Sequence, residues 1–428
     1  MVAGPRSVAP PRWAPPRWAL RAAQGAVALL PLFLLHARAL AEVAVATADL
    51  VFLWQMAATR SWRWLRAPEV LPGLLFWAWQ LICSLPFHAA GGMPAFIQAL
   101  ASLRWFLLIP ALSRVVLADA AVRAWFMRVL TAAVLYIGAN VWLQQATGFD
   151  LWGFRRWVDG SLTGPFYEPR ASAPLVRMLF PVLLPPLARA RAAWAVTLLL
   201  LSVVTMVLIG QRMPVLLLGM GLAATALLLP GLRKLALGFL VLVPLLVLGT
   251  VLFSPQAHHR LVTLFASTML HFPDSPYGSL YLRALAMAQN RPWFGWGFDG
   301  FRHACADPVN FRAFPGLGQT LAAGGGAGVC NIHPHNIYLE ALTNAGLPGI
   351  VLYAATVLAW LLVTGRGLWR GATTAEQTLR AGVLVAILVH FWPIASSSSA
   401  FDVYTSGIGY TMAAFGVALA RAAAPPGA

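Results

Sequence analysis

The sequence predicts an all-α protein that crosses a membrane many times. Of its 428 residues, 60% are hydrophobic and only 10% are charged, against about 25% charged residues in an average soluble domain. Apolar runs of about 17–25 residues, long enough for a helix to cross the hydrocarbon core, recur along most of the chain. Because these runs lack the two-residue alternation of barrel strands, they indicate a polytopic bundle of helices.

Twelve apolar segments are predicted as transmembrane helices. They lie at residues 20–37, 40–58, 71–87, 94–113, 122–144, 174–189, 193–210, 213–231, 234–253, 336–364, 380–395 and 403–421. Two stretches, residues 146–173 and 254–332, interrupt their rhythm. The second is predicted as a large loop with short helices between spans nine and ten. The chain then divides into residues 1–253 with nine spans, 254–335 with the loop, and 336–428 with three spans.

Basic residues alternate along the chain, and this alternation predicts which loops face the cytoplasm, where Lys and Arg are retained. Arginines precede the first span and follow the second, and the pattern continues to Arg421 at the end of the last. Both termini are therefore expected in the cytoplasm and both long loops on the other side. Residues 25–43 also fit a cleavable signal peptide, whose removal would leave the sidedness of the other spans unchanged.

Twelve arginines remain on the non-cytoplasmic side in this topology, and together they indicate an anionic, lipid-borne partner. They are Arg38, Arg104, Arg155, Arg156, Arg170, Arg177, Arg212, Arg260, Arg283, Arg291, Arg302 and Arg312. A guanidinium binds phosphate through two parallel hydrogen bonds and stays ionised in a low dielectric. Each arginine alone could instead pair with a carboxylate or a lipid headgroup. Membrane lipids are expected partners, and no nucleic acid is expected.

Two of these arginines lie close to or within apolar segments. Arg212 lies in "LIGQRMPVLL", in the short turn between two spans, and Arg104 lies within the span "ALASLRWFLLIP". An ionisable group at such a depth is costly, and it usually faces a functional cavity or forms an ion pair. Arg212 is therefore predicted to be functional. Arg104 is predicted either to support the site or to form a structural pair, for example with Asp49.

The long loop contains a helix signal followed by a glycine and aromatic turn. Residues 275–305 read "SPYGSLYLRALAMAQNRPWFGWGFDGFRHAC", with a helix predicted from about Leu280 to Gln289. The spacing G-W-G-F-D-G resembles a dinucleotide fingerprint, but no strand precedes it, so we reject that interpretation. Aromatic faces flanked by arginines suit a sugar and phosphate surface. The glycine-rich residues 316–330 are a candidate gate.

The two cysteines of the loop, Cys305 and Cys330, are candidates for a disulfide, because a bacterial extracytoplasmic compartment is oxidising. Such a bond would anchor the segment that carries His333 and His335. Cys83 lies within a span and is predicted to be a small core residue.

His333, His335 and Asn336 stand immediately before an apolar helix in "IHPHNIYLEALTNAGLPG". Three roles are open: a metal site, a structural cap, or acid and base chemistry. The nearest carboxylate, Glu340, is more than a helical turn away, which disfavours metal binding. We favour acid and base chemistry without a metal or another cofactor. Asn336 is expected to cap the helix or to orient an imidazole.

These two motifs, "YLRALAMAQNRPWFGWGFDGF" and "HPHNIYLEALTNAGLPG", resemble those of the bacterial O-antigen ligase and polymerase superfamily. The resemblance covers about residues 160–360, and the order of spans, late loop and histidine motif agrees with it. It implies a GT-C-like, metal-independent and inverting glycosyltransferase at the periplasmic face of the Gram-negative inner membrane. The implied donor is O-antigen on undecaprenyl pyrophosphate, and the implied acceptor is the lipid A-core oligosaccharide.

The resemblance also implies roles for single residues. His335 would be the catalytic base, supported by His333, Asn336 and Arg104. The pyrophosphate would be bound by Arg212 and Arg283, with Arg291, Arg302 and Arg170 as further ligands. The chain departs from the family at Asn344, where an acidic residue is common.

Three other functions remain open at this point. A polymerase of the same superfamily would share the donor and the histidine motif, and protein-glycosylating ligases are a third relative. A secondary transporter is an alternative of another class, in which Arg104 and Arg212 would bind an organic anion and the histidines would carry protons. The long loop and the lack of a convincing internal repeat argue against transport.

Overall fold

The computed structural model describes residues 14–311 and 326–424, and helices dominate this part of the chain. The helices are α1 (Arg17–His36), α2 (Arg38–Thr59), α3 (Leu71–Cys83), α4 (Gly92–Ala101), α5 (Leu103–Arg114), α6 (Ala120–Thr147), α7 (Ser172–Arg189), α8 (Ala192–Ile209), α9 (Arg212–Leu228), α10 (Arg233–Phe253), α11 (Pro255–His258), α12 (Leu264–Leu270), α13 (Pro276–Asn290), α14 (Gly300–Ala304), α15 (Ile337–Gly365), α16 (Ala375–His390) and α17 (Ser406–Ala422).

Every predicted span contains a helix, with α4 and α5 sharing one span. Within the described ranges, seven helical stretches are long and apolar enough to cross a membrane: Arg17–His36, Arg38–Thr59, Gly92–Ala118, Ala120–Thr147, Ala192–Ile209, Pro230–Leu252 and Ile337–Gly365. Two shorter apolar helices, α3 and α9, accompany them. The prediction of an all-α, multi-pass membrane protein is confirmed, whereas the number of twelve spans stays a prediction.

The segment predicted as a large loop contains α11 to α14. The helix expected from about Leu280 begins earlier, at Pro276, because the Ser275 side chain accepts a hydrogen bond from the Gly278 amide and proline is favoured at the first helical position. Of the candidate gate, residues 316–325 lie outside the described residues, as does Arg312.

The bundle is held together by close helix contacts. α16 packs on α7 so tightly that a Cβ at Gly382 would come within 2.8 Å of the Phe180 carbonyl oxygen. α17 packs on α5, where the rings of Trp105 and Tyr410 stack with centroids 5.4 Å apart. Small residues at such contacts allow backbones to approach, as is common in membrane helix packing.

The turn "GWGFDG" packs on a kink in α15. Gly346 interrupts α15 with φ +66° and ψ −165°. Gly295 also has a positive φ, and a Cβ there would lie 2.6 Å from the carbonyl carbon of Asn344. The Asn344 backbone oxygen accepts from the Gly297 amide at 3.0 Å, and its side-chain oxygen accepts from the Gly300 amide at 3.0 Å. The glycine spacing therefore serves backbone packing.

The two ends of the bundle differ. At one end, which we call the loop face, lie residues 148–171, 254–311, 326–336 and 391–405. At the opposite face the buried Glu69 holds the ends of two helices through Arg114 at 2.8 Å and Arg421 at 3.5 Å. Its backbone carbonyl also accepts from the Trp360 indole at 3.0 Å.

Candidate functional site

A cavity of about 1120 Å³ opens at the loop face. Seven segments of the described chain meet there: the end of α1, the loop before α7, the starts of α7 and α9, the stretch from α11 to α13, and the segments before α15 and α17. Its charged and imidazole lining is Asp159, Arg170, Arg177, Arg212, Arg260, His333, His335 and Asp402. Its apolar lining includes Leu34, Phe166, Leu216, Met269, Phe272 and Ile394.

Arg177 is the most deeply buried of the four lining arginines. It lies in the second turn of α7 and is 3% exposed. One Nη donates to the Ala173 carbonyl at 3.0 Å, while the Nε is buried without a partner. Asp402, across the cavity lining, interacts with it electrostatically. A buried guanidinium with an unused donor is suited to an anionic ligand.

Arg212 is the first residue of α9 and points toward α12. Its Nη1 donates to the Thr268 hydroxyl at 3.0 Å and to the Leu264 carbonyl at 3.3 Å. Both acceptors are neutral, so they orient the guanidinium without neutralising its charge.

The other two lining arginines form ion pairs. Arg260 contacts Asp159 at 3.1 Å and also donates to the Ser161 hydroxyl. Burial lowers the pKa of Arg260, Asp159 opposes this shift, and the nearby charge of Arg212 adds to it. Arg170 is exposed and pairs with Glu168 at 2.6 Å. These two arginines are thus less available to a ligand than Arg177 and Arg212.

Several helices begin at this cavity. The first turns of α7 and α9 line it, and Thr405 immediately before α17 lines it as well. α15 begins two residues after His335. Helix N-termini carry partial positive charge and unsatisfied N–H groups, which favour anions. Together with the arginines they make one side of the cavity strongly electropositive.

His335 is held in one tautomer by the segment between α16 and α17. Its Nδ1 lies 3.2 Å from the Ser397 carbonyl, and the Ser397 amide donates back to the His335 carbonyl at 2.9 Å. A carbonyl can only accept, so Nδ1 carries the proton and Nε2 keeps a free electron pair. The Asn331 amide donates to this Nε2 at 3.2 Å. The backbone of His335 has φ +55°, a left-handed conformation that is uncommon for residues other than glycine.

Both histidines are neutral near pH 7. Burial lowers the pKa of His335, and the bond to Ser397 opposes the shift. Burial, followed by the neighbouring His335, lowers the pKa of His333 to about 4. The centroids of the two imidazole rings lie 4.3 Å apart. The Nε2 of His333 is buried without a hydrogen-bond partner. A neutral His335 can accept a proton through Nε2.

Asn336 caps α15, which is one of the two roles considered for it. Its side-chain oxygen accepts from the amides of Tyr338 and Leu339, each at 3.0 Å. Its amide nitrogen donates to the Pro393 carbonyl at 2.6 Å. The residue therefore joins the histidine segment to the segment before α17.

Three of the arginines assigned to the pyrophosphate lie outside the cavity lining. Arg283 is buried, donates to the Cys305 carbonyl at 2.7 Å and stacks on Phe311 at 4.2 Å. Arg291 stacks on Trp296 at 4.0 Å. Arg302 lies 3.5 Å from Asp299. Carbonyl, ring and carboxylate partners hold these guanidiniums away from the cavity.

Arg104 also lies outside the lining and forms the ion pair that was one of its two predicted roles. The partner differs from the example given, because Glu42, at 2.8 Å, takes the place of Asp49. Glu42 lies on α2 one helical turn from the loop face, where the charged pair is partly exposed. This position costs less than the buried site of Asp49.

The sulfur atoms of Cys305 and Cys330 are bonded to each other, and Cys83 is a buried free thiol. The disulfide connects the end of α14 to the segment that carries His333. In the described ranges, no group of three His, Cys, Asp or Glu side chains is arranged to hold a metal ion.

Sequence reasoning overlooked part of this site. The run "ASSSSAFD" at residues 395–402 supplies the Ser397 carbonyl and Asp402. The sequence feature that could have indicated this segment is a polar run between two apolar spans. Arg177 and Arg260 belonged to the set of non-cytoplasmic arginines but stood in no motif of their own. Only the fold brings them to Arg212.

Comparison with known proteins agrees with the motifs. No curated protein matches the chain. Residues 179–354, from the middle of α7 to the middle of α15, match the family model described as O-Antigen ligase. This match gives no support to the transporter alternative. It contains Arg212 and both motif histidines, whereas Arg177 and Asp402 lie outside it. Residues 179–354 therefore carry an O-antigen ligase domain, which confirms the resemblance to the O-antigen ligase superfamily.

Proposed function

We propose that this protein is an O-antigen ligase, a glycosyltransferase that moves O-antigen polysaccharide from undecaprenyl pyrophosphate to the lipid A-core oligosaccharide. The reaction would take place at the periplasmic face of the Gram-negative inner membrane. One observation carries the proposal: a single cavity combines an electropositive side, with Arg177 and Arg212, and a neutral imidazole at His335. The electropositive side suits the binding of a pyrophosphate, and the imidazole suits the deprotonation of a hydroxyl nucleophile.

The apolar part of the same cavity supports a lipid-linked donor. Leu216, Met269 and Ile394 line the cavity and are also exposed at the surface of the bundle. A polyprenyl chain can lie along this wall while its pyrophosphate reaches the helix N-termini. Each buried methylene group contributes about 0.8 kcal/mol, so even a short contact favours a lipid carrier over a soluble nucleotide sugar.

The residues suggest a single displacement. An acceptor hydroxyl replaces Asn331 at the Nε2 of His335 and gives up its proton to that nitrogen. The hydroxyl oxygen forms a bond with the anomeric carbon as the bond from that carbon to the pyrophosphate oxygen breaks. Arg177 and Arg212 stabilise the charge on the leaving pyrophosphate, which is the task that metal ions perform in other transferases. One displacement inverts the anomeric configuration.

The decisive assay combines a deletion strain with the purified enzyme. A deletion strain is expected to carry lipid A-core without polymer while polymer still accumulates on the carrier lipid. Single repeats on the core would instead assign a polymerase, and unchanged lipopolysaccharide would remove the protein from this pathway. Purified enzyme with lipid-linked donor and core acceptor is expected to work in the presence of a chelator. Inhibition that one divalent metal reverses would overturn the arginine mechanism.

A further inference from the structure

Glu340 is a buried carboxylate for which the proposed mechanism has no direct role. It lies in the first turn of α15, is 2% exposed and does not line the cavity. Its two oxygens accept hydrogen bonds from the Ser399 hydroxyl and the Ala400 amide, each at 2.7 Å. Burying a carboxylate is costly unless such bonds compensate it, so this arrangement holds Ser399 and Ala400 firmly.

These bonds are the last in a longer series that joins the start of α15 to residues 391–400. We call residues 391–400 the serine brace. Tyr338 donates through its hydroxyl to the Phe391 carbonyl at 2.8 Å, and Asn336 donates to Pro393 at 2.6 Å. The paired bonds between His335 and Ser397 follow. Glu340 binds the far end of the brace.

The brace needs this far anchor because of its composition. Serine side chains compete for local backbone groups, and a run of four serines has no intrinsic preference for one extended path. Ser397 is only two residues from Ser399. If Ser399 and Ala400 were released, rotation of the intervening peptides could turn the Ser397 carbonyl away from the imidazole.

We propose that Glu340 is a positioning residue that fixes the Nδ1–H tautomer of His335 by anchoring the serine brace. The inference rests on the proposed function, since it assumes that His335 is the base. Glu340 acts without touching a substrate. It holds Ser399 and Ala400, these hold Ser397, and the Ser397 carbonyl leaves the reactive electron pair on Nε2.

Few ionisable groups of the described residues face the imidazole. His333 lies 4.3 Å away on the same segment, and Tyr277 of α13 meets the ring edge-on at 5.7 Å. Asp402, two residues beyond the brace, acts on His333. Because the contact with Ser397 raises the pKa of His335, loss of that contact should lower this pKa.

The test uses three variants of the purified full-length enzyme. Glu340→Met removes both bonds, whereas Glu340→Gln can still accept from Ala400 and donate to Ser399. Glu340→Met is expected to lower kcat about a hundredfold, within the range of a misplaced base, with the KM for donor nearly unchanged. The acid limb of its pH profile is expected at lower pH. Glu340→Gln is expected to stay close to the wild type.

Ser399→Ala keeps the test informative if Glu340→Met does not fold. It removes one bond and is expected to cause a smaller fall in kcat with the same direction of shift in the acid limb. Wild-type kcat and an unmoved acid limb in Glu340→Met or in Ser399→Ala would overturn the proposal, and so would equal losses in Glu340→Gln and Glu340→Met. Failure of the proposed function is distinguishable, because the wild-type enzyme would then transfer no polymer to the core acceptor, whereas full transfer by His335→Ala would remove only the base assignment.

Discussion

The arginines of the cavity differ in what else their guanidiniums bind. Arg212 has neutral acceptors, and Arg177 keeps a buried Nε without a partner. Arg170 and Arg260 are paired with carboxylates. An anionic ligand therefore gains most from the first two, because neither guanidinium forms an ion pair with a carboxylate in the described residues.

Arg177→Lys and Arg212→Lys should each lower kcat/KM for the lipid-linked donor about ten- to a hundredfold, because a bidentate contact becomes a point charge. Steady-state kinetics at varied donor concentration would measure the loss. Arg370→Lys, an exposed site at the opposite face, serves as the matched control. Normal kinetics at low donor concentration in both variants would remove these residues from the pyrophosphate site.

His335 gives a prediction for pH. In the proposed mechanism the neutral imidazole is the base, and burial lowers its pKa from the ordinary value of 6.5. Activity should stay level near neutral pH and fall only as the pH drops through that lower pKa, where protonation removes the free electron pair. The pH profile of kcat/KM for the acceptor would show this.

Replacement of the histidines completes that test. His335→Ala should lower kcat by about a hundred- to ten-thousandfold with donor binding retained, and His333→Ala should lower it less. A larger loss in His333→Ala than in His335→Ala would assign the base to the buried Nε2 of His333 instead.

At the scale of single elements, α15 joins the two motifs of the sequence. Its start carries the histidine segment, and its kink at Gly346 receives the glycine and aromatic turn. The kink is required sterically, since a Cβ at Gly346 would lie 2.3 Å from the Trp293 carbonyl oxygen. The helix that carries the histidine segment at its start is thus held at its kink by the glycine and aromatic turn.

Gly346→Ala should destabilise the protein by several kcal/mol, because it combines an unfavourable φ with overpacking against backbone. A large fall in the thermal unfolding temperature in detergent is the expected result. Gly249→Ala in α10, where a Cβ would meet nothing within 4 Å, should leave that temperature nearly unchanged. Equal unfolding temperatures for both variants would contradict the close packing at the kink.

The sequence predicted the helices, but it does not reveal which arginines line the cavity, and the pyrophosphate contacts stay a prediction. Apolar runs are local signals, so every predicted span contains a helix. Side-chain direction depends on helical phase: Tyr277 and Tyr281 are four residues apart on the face of α13 that lines the cavity. Arg283, two residues further, lies on the other side against Cys305. The serine brace has no periodicity at all, and only the packing of α15 gives it a role.

At the scale of the whole molecule, the site is confined to one end of the bundle. α7, α9, α15 and α17 all begin at the loop face, and their N-termini add to one field there. If the arginine alternation is a guide to sidedness, this end faces the periplasm. The proposal for the donor and the acceptor depends on this orientation.

Thiol labelling would test the orientation. The native chain offers a clean background, since Cys83 is buried and the other two cysteines are bonded. Val158→Cys, at a site 95% exposed on the loop face, should react with a membrane-impermeant reagent in intact spheroplasts. Arg370→Cys at the opposite face should react only after the cells are opened. The reverse result would invert the topology and end the periplasmic proposal.

The ion pairs of Glu69 have a mechanical consequence for this architecture. The side chain and the backbone carbonyl of Glu69 together contact the ends of α5, α15 and α17 at the opposite face. Helices that are held together at one end of the bundle can move apart only at the other end. We therefore expect any movement that opens the cavity to occur at the loop face, while the end held by Glu69 stays fixed.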